Sequence, residues 1–159
     1  MTFRAFSFIF LLLSLITGCG FQLKGLSNLP ENLIQLDLTV EKFTNQEEVQ
    51  LITILKQAGA ELVNTTTATK LRVNLQRANE RIIASNATQS LRIFSISRNL
   101  DYVVTSAEGK LLLQRDVKQS REIELDTDDV LQLEQSRMEV IREINNALFQ
   151  QILDQLKNL

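Results

Sequence analysis

The chain has 159 residues, 17 Lys+Arg against 19 Asp+Glu for a formal charge of −2, no His and a single Cys. The absence of a basic excess argues against a nucleic-acid binder, and the absence of His removes histidine-based triads and the usual transition-metal ligand sets. One cysteine cannot close an internal disulfide, and five Gly and one Pro leave little material for a long flexible linker.

Arg4 precedes an apolar run from Phe6 to Ile16, and Thr17 and Gly18 lead into Cys19. A basic start, a short apolar core and small residues before a cut point predict an export signal. The run is too short to span a bilayer, which takes about 20 apolar residues. Ile16-Thr17-Gly18-Cys19 resembles the lipobox of bacterial lipoproteins, with Ile16 where Leu is commoner. The resemblance implies cleavage between Gly18 and Cys19, S-diacylglycerol on the thiol and an N-palmitoyl group on the new amine. A buried thiol or an incidental cysteine are the alternatives, but an unmodified exported thiol is a liability, so lipidation is expected. Gly20, not Asp, follows the cysteine. In enteric-type bacteria an Asp there resembles the inner-membrane retention signal, so the expectation is a lipid anchor in the outer membrane, on the periplasmic side. The domain plan is a signal peptide over 1–18 and one domain over 19–159.

Phe21 and Leu23 alternate with Gln22 and Lys24, as in a short extended piece. Leu26 to Asn32, with Pro30, reads as a connector. Leu33 to Val40 predicts a strand with Ile34, Leu36, Leu38 and Val40 on one face. Thr44-Asn-Gln-Glu47 has capping-box spacing and opens a helix to about Ala58. Its apolar stripe is Val49, Ile52, Leu55 and Ala58, widened by Leu51 and Ile54, and Gly59 stands where a left-handed terminator is expected. Thr65 to Thr69 is open between loop and strand. Leu71 to Leu75 alternates as a strand, while Asn79 to Gln89 is mixed and polar.

Leu91 to Leu125 reads as a long hairpin turning at Glu108-Gly109. Pairing Ala107 with Lys110 sets Val104 against Leu113, Tyr102 against Arg115, Leu100 against Val117, Arg98 against Gln119, Ile96 against Arg121 and Phe94 against Ile123. A slip of one residue would mix the two faces, so the register is strongly specified. Asp126 to Asp129 offers helix caps. A helix follows, firm from Glu134 to Leu156, with Val140, Ile141, Ile144, Leu148, Ile152 and Leu156 as its core stripe. Glu134 with Arg137, and Glu139 with Arg142, are surface pairs at helical spacing. The fold class is α+β: a two-layer sandwich, two helices on one face of a mostly antiparallel mixed sheet of about four strands.

Cys19-Gly-Phe-Gln-Leu-Lys-Gly25 is similar to the CGFxLRG-type start of the LPS-assembly lipoprotein LptE family. Gln57-Ala-Gly-Ala-Glu-Leu-Val63 and the paired strands before a long C-terminal helix resemble that family too. Lys24 stands where Arg is common and Gln22 where His is common. The resemblance implies a plug and assembly partner for the LptD β-barrel. It also implies contact with lipopolysaccharide in transit and residence at the inner leaflet of the outer membrane. The lack of His and of a Ser-x-x-Lys pattern makes a lipid-anchored enzyme the least favoured class, and no cofactor beyond the covalent lipid on Cys19 and no nucleic-acid partner are expected.

Arg98, Arg115 and Arg121 share the apolar hairpin face and, with Lys118 on the other face, are the candidate contacts for lipopolysaccharide or a partner. The competing reading, which we weight more, has the arginine stems packed and their heads in water beyond the helices. Asp126, Asp128 and Asp129 lack the ligand pattern and Gly of a calcium loop, so no metal site is expected. Glu122 and Glu124 read as a solvated edge.

Overall fold

The computed structural model describes residues 29–87, 91–126 and 129–159. The export signal, Cys19, Gly20 and the first mature segment lie outside the described residues, as do Thr127 and Asp128. A 3-10 turn over Glu31–Leu33 leads into β1 (Gln35–Glu41). Helix α1 (Asn45–Gln57) and the two-residue β2 (Glu61–Leu62) follow. Then come β3 (Thr69–Leu75), β4 (Asn79–Ser85), β5 (Leu91–Thr105), β6 (Leu111–Asp126) and α2 (Val130–Leu156).

The two helices pack on one face of a curled mixed sheet, as expected, but among the described residues that sheet has six strands rather than four. The extra strands are β2 and β4. A two-residue strand carries no periodic signal, and β4 is exposed on both faces, so alternation never develops in it. β1 pairs in parallel with both β2 and β3, with α1 as the crossover that parallel pairing demands. β6 runs along one edge of β5 from Leu91 to Thr105. The other edge of β5 is shared end to end, β3 pairing with Leu100 to Thr105 and β4 with Arg92 to Ser97.

The capping box forms as the spacing predicts. The Thr44 hydroxyl accepts from the Glu47 N–H, and the Glu47 carboxylate accepts from the Thr44 N–H at 2.9 Å. Gly59 closes the helix with φ +94°. The buried stripe of α1 is Leu51, Ile54, Leu55 and Ala58, and Val49 is 62% exposed, a correction to the expected stripe. Ile34 is also outside the core, because the 3-10 turn places Leu33 inward instead. Leu38 and Val40 pack against the core from β1 as read.

In α2 the stripe holds and widens to include Phe149 and Leu153. Phe149 stacks on Phe43 with ring centroids 5.8 Å apart. The helix begins earlier than the firm part of the expectation, with Asp129 as cap, its carboxylate accepting from the Gln132 N–H at 3.0 Å. Glu134 meets Arg137 at 2.8 Å, whereas Glu139 and Arg142 form no ion pair among the described residues.

The hairpin register matches every expected pair from Val104–Leu113 to Phe94–Ile123. The turn does not. The Gly109 N–H donates to the Ser106 carbonyl at 3.0 Å, the Ser106 N–H donates to the Lys110 carbonyl at 2.9 Å, and Gly109 sits at φ +85°. That is a three-residue turn with a left-handed glycine, so Ala107 and Lys110 are not a pair. A register shift between Val104 and Thr105, pairing Thr105 with Leu111, then leaves Leu112 without an opposite residue and restores the expected register. The even-numbered residues of β5 from Phe94 to Val104 are all buried, each large apolar side chain contributing about 1.5–3 kcal/mol.

Candidate functional site

The four basic residues singled out from the sequence do not form one site. Arg98 is 7% exposed and points inward. Its Nε donates to the Gln76 carbonyl at 2.7 Å, and Nη1 donates to the Asn145 Oδ1 at 2.8 Å and to the Glu47 carboxylate. Asn145, on α2, also donates to Glu47 at 3.2 Å. Arg98 therefore ties β5 to both helices and to the end of β3. This is neither of the roles weighed for it: its guanidinium is bound inside the protein, and only its border touches the notch described below. The sequence showed an arginine on a core face but not the carboxylate 51 residues away that neutralises it.

Arg115 and Arg121 are exposed on β6, each donating to the carbonyl of the residue before it. They share a face but stand six residues apart, about 20 Å along a strand. Lys118 is exposed on the opposite face, across from Asn99. Glu122 and Glu124 are exposed on that same opposite face. Asp129 serves as a cap, and no group of three or more metal-ligating side chains gathers among the described residues.

The Glu47 carboxyl is held below its usual range. Burial acts to raise it, but the hydrogen bond from Arg98, the one from the Thr44 N–H and the Arg98 charge together outweigh burial. Tyr102 is shifted the other way. Burial pushes its phenol above its usual value, only partly opposed by the charge of Arg115, and its hydroxyl donates to the Gln155 side chain.

The structure does gather cations elsewhere. A cavity of about 810 Å³ is lined by Lys42, Phe43, Thr44, Gln76, Arg77 and Arg98. It is a notch between the end of β1, the start of α1 and the junction of β3 with β4. Lys42 and Arg77 are the cations it exposes, while Arg98 borders it with its charge already met by Glu47. Lys42 adopts φ +62°, a left-handed conformation rare for a side-chain-bearing residue, and its Nζ donates to the Gln76 Oε1 at 3.3 Å. Sequence reasoning passed over Lys42 and Arg77 because each is an isolated charge in a connector. Only the sheet topology brings the two connectors together.

A second feature is apolar. Ile82 and Ile83 on β4 are 51% and 45% exposed, and Leu91, Val130, Leu131 and Met138 are exposed as well. Beside them Arg137 bridges Glu80 and Glu134 and lies over the Phe94 ring, 5.9 Å from its centroid.

No protein-family model and no curated protein matches the chain. Solved structures do. A minor lipoprotein from Acinetobacter baumannii superposes with a TM-score of 0.63 at 23% identity, over 79% of this chain and 92% of that one. The uncharacterized lipoprotein B from Nitrosomonas europaea gives 0.62 at 19% identity, over 87% and 88%. The rare lipoprotein B from Shewanella oneidensis gives 0.68 at 13% identity, over 78% and 94%, so the chain has the fold of these minor and rare lipoproteins across most of its length.

Proposed function

We propose that this chain is an outer-membrane lipoprotein that acts as plug and assembly partner of an LptD-like β-barrel in the transport and surface insertion of lipopolysaccharide. One observation carries the reading: the Cys19-Gly-Phe-Gln-Leu-Lys-Gly25 start stands ahead of a domain whose fold is that of minor and rare lipoproteins. The sheet face turned away from the helices carries Asn99, Asp101, Asp116 and Lys118 on β5 and β6, a polarity suited to the interior of a wide barrel. The role is one of positioning and assembly, not catalysis.

The anchor and the partner are tested separately. Intact-mass analysis of the membrane-bound protein should find the chain starting at Cys19 with its lipids, and Cys19→Ser should leave an unlipidated precursor. Affinity purification in detergent should bring down an LptD-like barrel, and depletion should lower both assembled barrel and surface lipopolysaccharide. If depletion leaves both unchanged and crosslinks from Asp101, Lys118 and Glu122 find no barrel, the barrel reading fails. A generic envelope scaffold then stands in its place.

A further inference from the structure

β5 gives the domain a long axis, and the connection to Cys19 leaves from one end of it. The Leu29 N–H donates to the Ala58 carbonyl, and Glu61, just beyond Ala58, pairs with Gln35 at the start of β1. β1 and β3 run in step from the pair Leu36–Thr69, and Lys70 then pairs with Thr105, the last residue of β5. Leu29, the start of β1 and the turn between β5 and β6 therefore lie at one end. α2 finishes at that end too, since the Tyr102 hydroxyl meets the Gln155 side chain. The opposite end holds the pair Leu91–Asp126, where β5 begins and β6 ends, and Val130, where α2 begins.

Both ends expose apolar side chains. At the Leu29 end Ile34, Leu111 and Leu159 are 37%, 55% and 42% exposed, and at the far end Ile82, Ile83, Leu91, Val130 and Leu131 are exposed. The far patch is the larger, so burial alone would send that end into lipid. The length of chain after Cys19 opposes this. Leu29 stands ten residues after Cys19, so the connection reaches about 33–36 Å at most. From Thr105 to Leu91, β5 runs about 46 Å. With the far end down, Leu29 would stand about a strand length above the leaflet that holds Cys19, beyond that reach. Ile34 enters from the β1 side, Leu111 from β6 and Leu159 from the end of α2, so the three form a base across both layers. Charges of both signs stand at this end, Lys56, Lys110 and Lys157 with Glu31, Glu61 and Glu108. It is thus neither a cationic nor an anionic surface, and zwitterionic headgroups meet it without repulsion.

We propose that the end carrying Ile34, Leu111 and Leu159 is the surface on which the lipidated chain rests against a bilayer. These side chains sit at the boundary between headgroups and acyl chains, and the far-end patch is held away from that leaflet. The proposal rests on the anchor at Cys19 and not on the barrel.

The chain contains no Trp, so a single introduced indole reports alone. Leu111→Trp, Leu159→Trp and Ile82→Trp each change an exposed residue. Each variant is purified from membranes, its lipids on Cys19 are checked by intact mass, and it is reconstituted in phosphatidylcholine vesicles whose acyl chains carry bromine near the headgroup. Against unbrominated vesicles, emission from Leu111→Trp and Leu159→Trp should lose about half its intensity or more, and emission from Ile82→Trp less than about a tenth. Equal quenching at all three positions means that the domain lies along the bilayer, and overturns the proposal. So does quenching confined to Ile82→Trp, or none at either near-end position. A bare Cys19 sinks the anchor reading and this inference with it. A lipidated chain whose near-end positions stay unquenched sinks this inference alone.

Discussion

Replacing Arg98 with Met tests the buried network in a way that separates charge from packing. The two charged side chains are 8% and 12% exposed, so neither is well solvated. Removing the guanidinium leaves the Glu47 carboxylate without its counter-ion and the Gln76 carbonyl and Asn145 Oδ1 without a donor. Breaking a buried pair from one side costs about 3–5 kcal/mol. Some solvent access at Glu47 and the retained methylene stem of Met place the expectation at about 3 kcal/mol. With a urea m-value of about 1–3 kcal/mol/M, the midpoint should fall by about 1–3 M. The companion variant is Arg98→Met with Glu47→Gln. Gln at this helix position can still cap the Thr44 N–H, and no charge is left buried. It should recover most of the loss, to within about 1 kcal/mol of the parent.

The pH dependence carries a second check. The Glu47 carboxyl is lowered in the folded state. The stability it adds is present above its unfolded value of about 4.3 and is lost as pH falls through the lower folded value. The gap between the parent and Arg98→Met should therefore shrink under acid. Denaturation by circular dichroism across pH measures both effects. A single variant costing under about 1 kcal/mol, or a double variant as unstable as the single, would refute the reasoning.

Leu100 is fully buried, so Leu100→Asp places an unpaired charge in the core and should abolish the cooperative melt, since the cost rivals a whole domain's stability of about 5–15 kcal/mol. Gly109→Ala meets no atom within 4 Å, so only the left-handed backbone matters, and the melt should register a loss of about 1–2 kcal/mol. Tyr102 is raised by burial, so its contribution is present below an unfolded value of about 10 and lost as pH rises through the folded one. Parent stability should thus fall under alkali, measured by denaturation, and Tyr102→Phe should remove that part of the decline.

Legibility in the sequence followed the physics of each element. The hairpin register was readable because side-chain alternation over a dozen residues admits one alignment, and it survived a misread turn because the unpaired Leu112 absorbs the extra residue. The capping box was readable because its partners are three residues apart. β4 was not, because a strand exposed on both faces has no apolar period. The candidate site was the least legible part. Arg98 looked like one member of a cationic face, yet its partners come from α1 and α2, and distant pairing leaves no local trace. Lys42 and Arg77 meet only because β1 ends where β4 begins.

The parallel pairing of β1 has a mechanical consequence. Leu29, the first described residue, donates its N–H to the Ala58 carbonyl at 3.4 Å, close to the end from which β1 sets out. A pull on the segment before β1, with the rest of the domain held by a partner, is directed along that strand. β1 is flanked on both sides, by two register pairs with β2 and six with β3. Force along the strand loads these ladders in shear, so many hydrogen bonds must fail together. The same strand pulled sideways would unzip one bond at a time. Tension applied along β1 therefore meets both ladders at once.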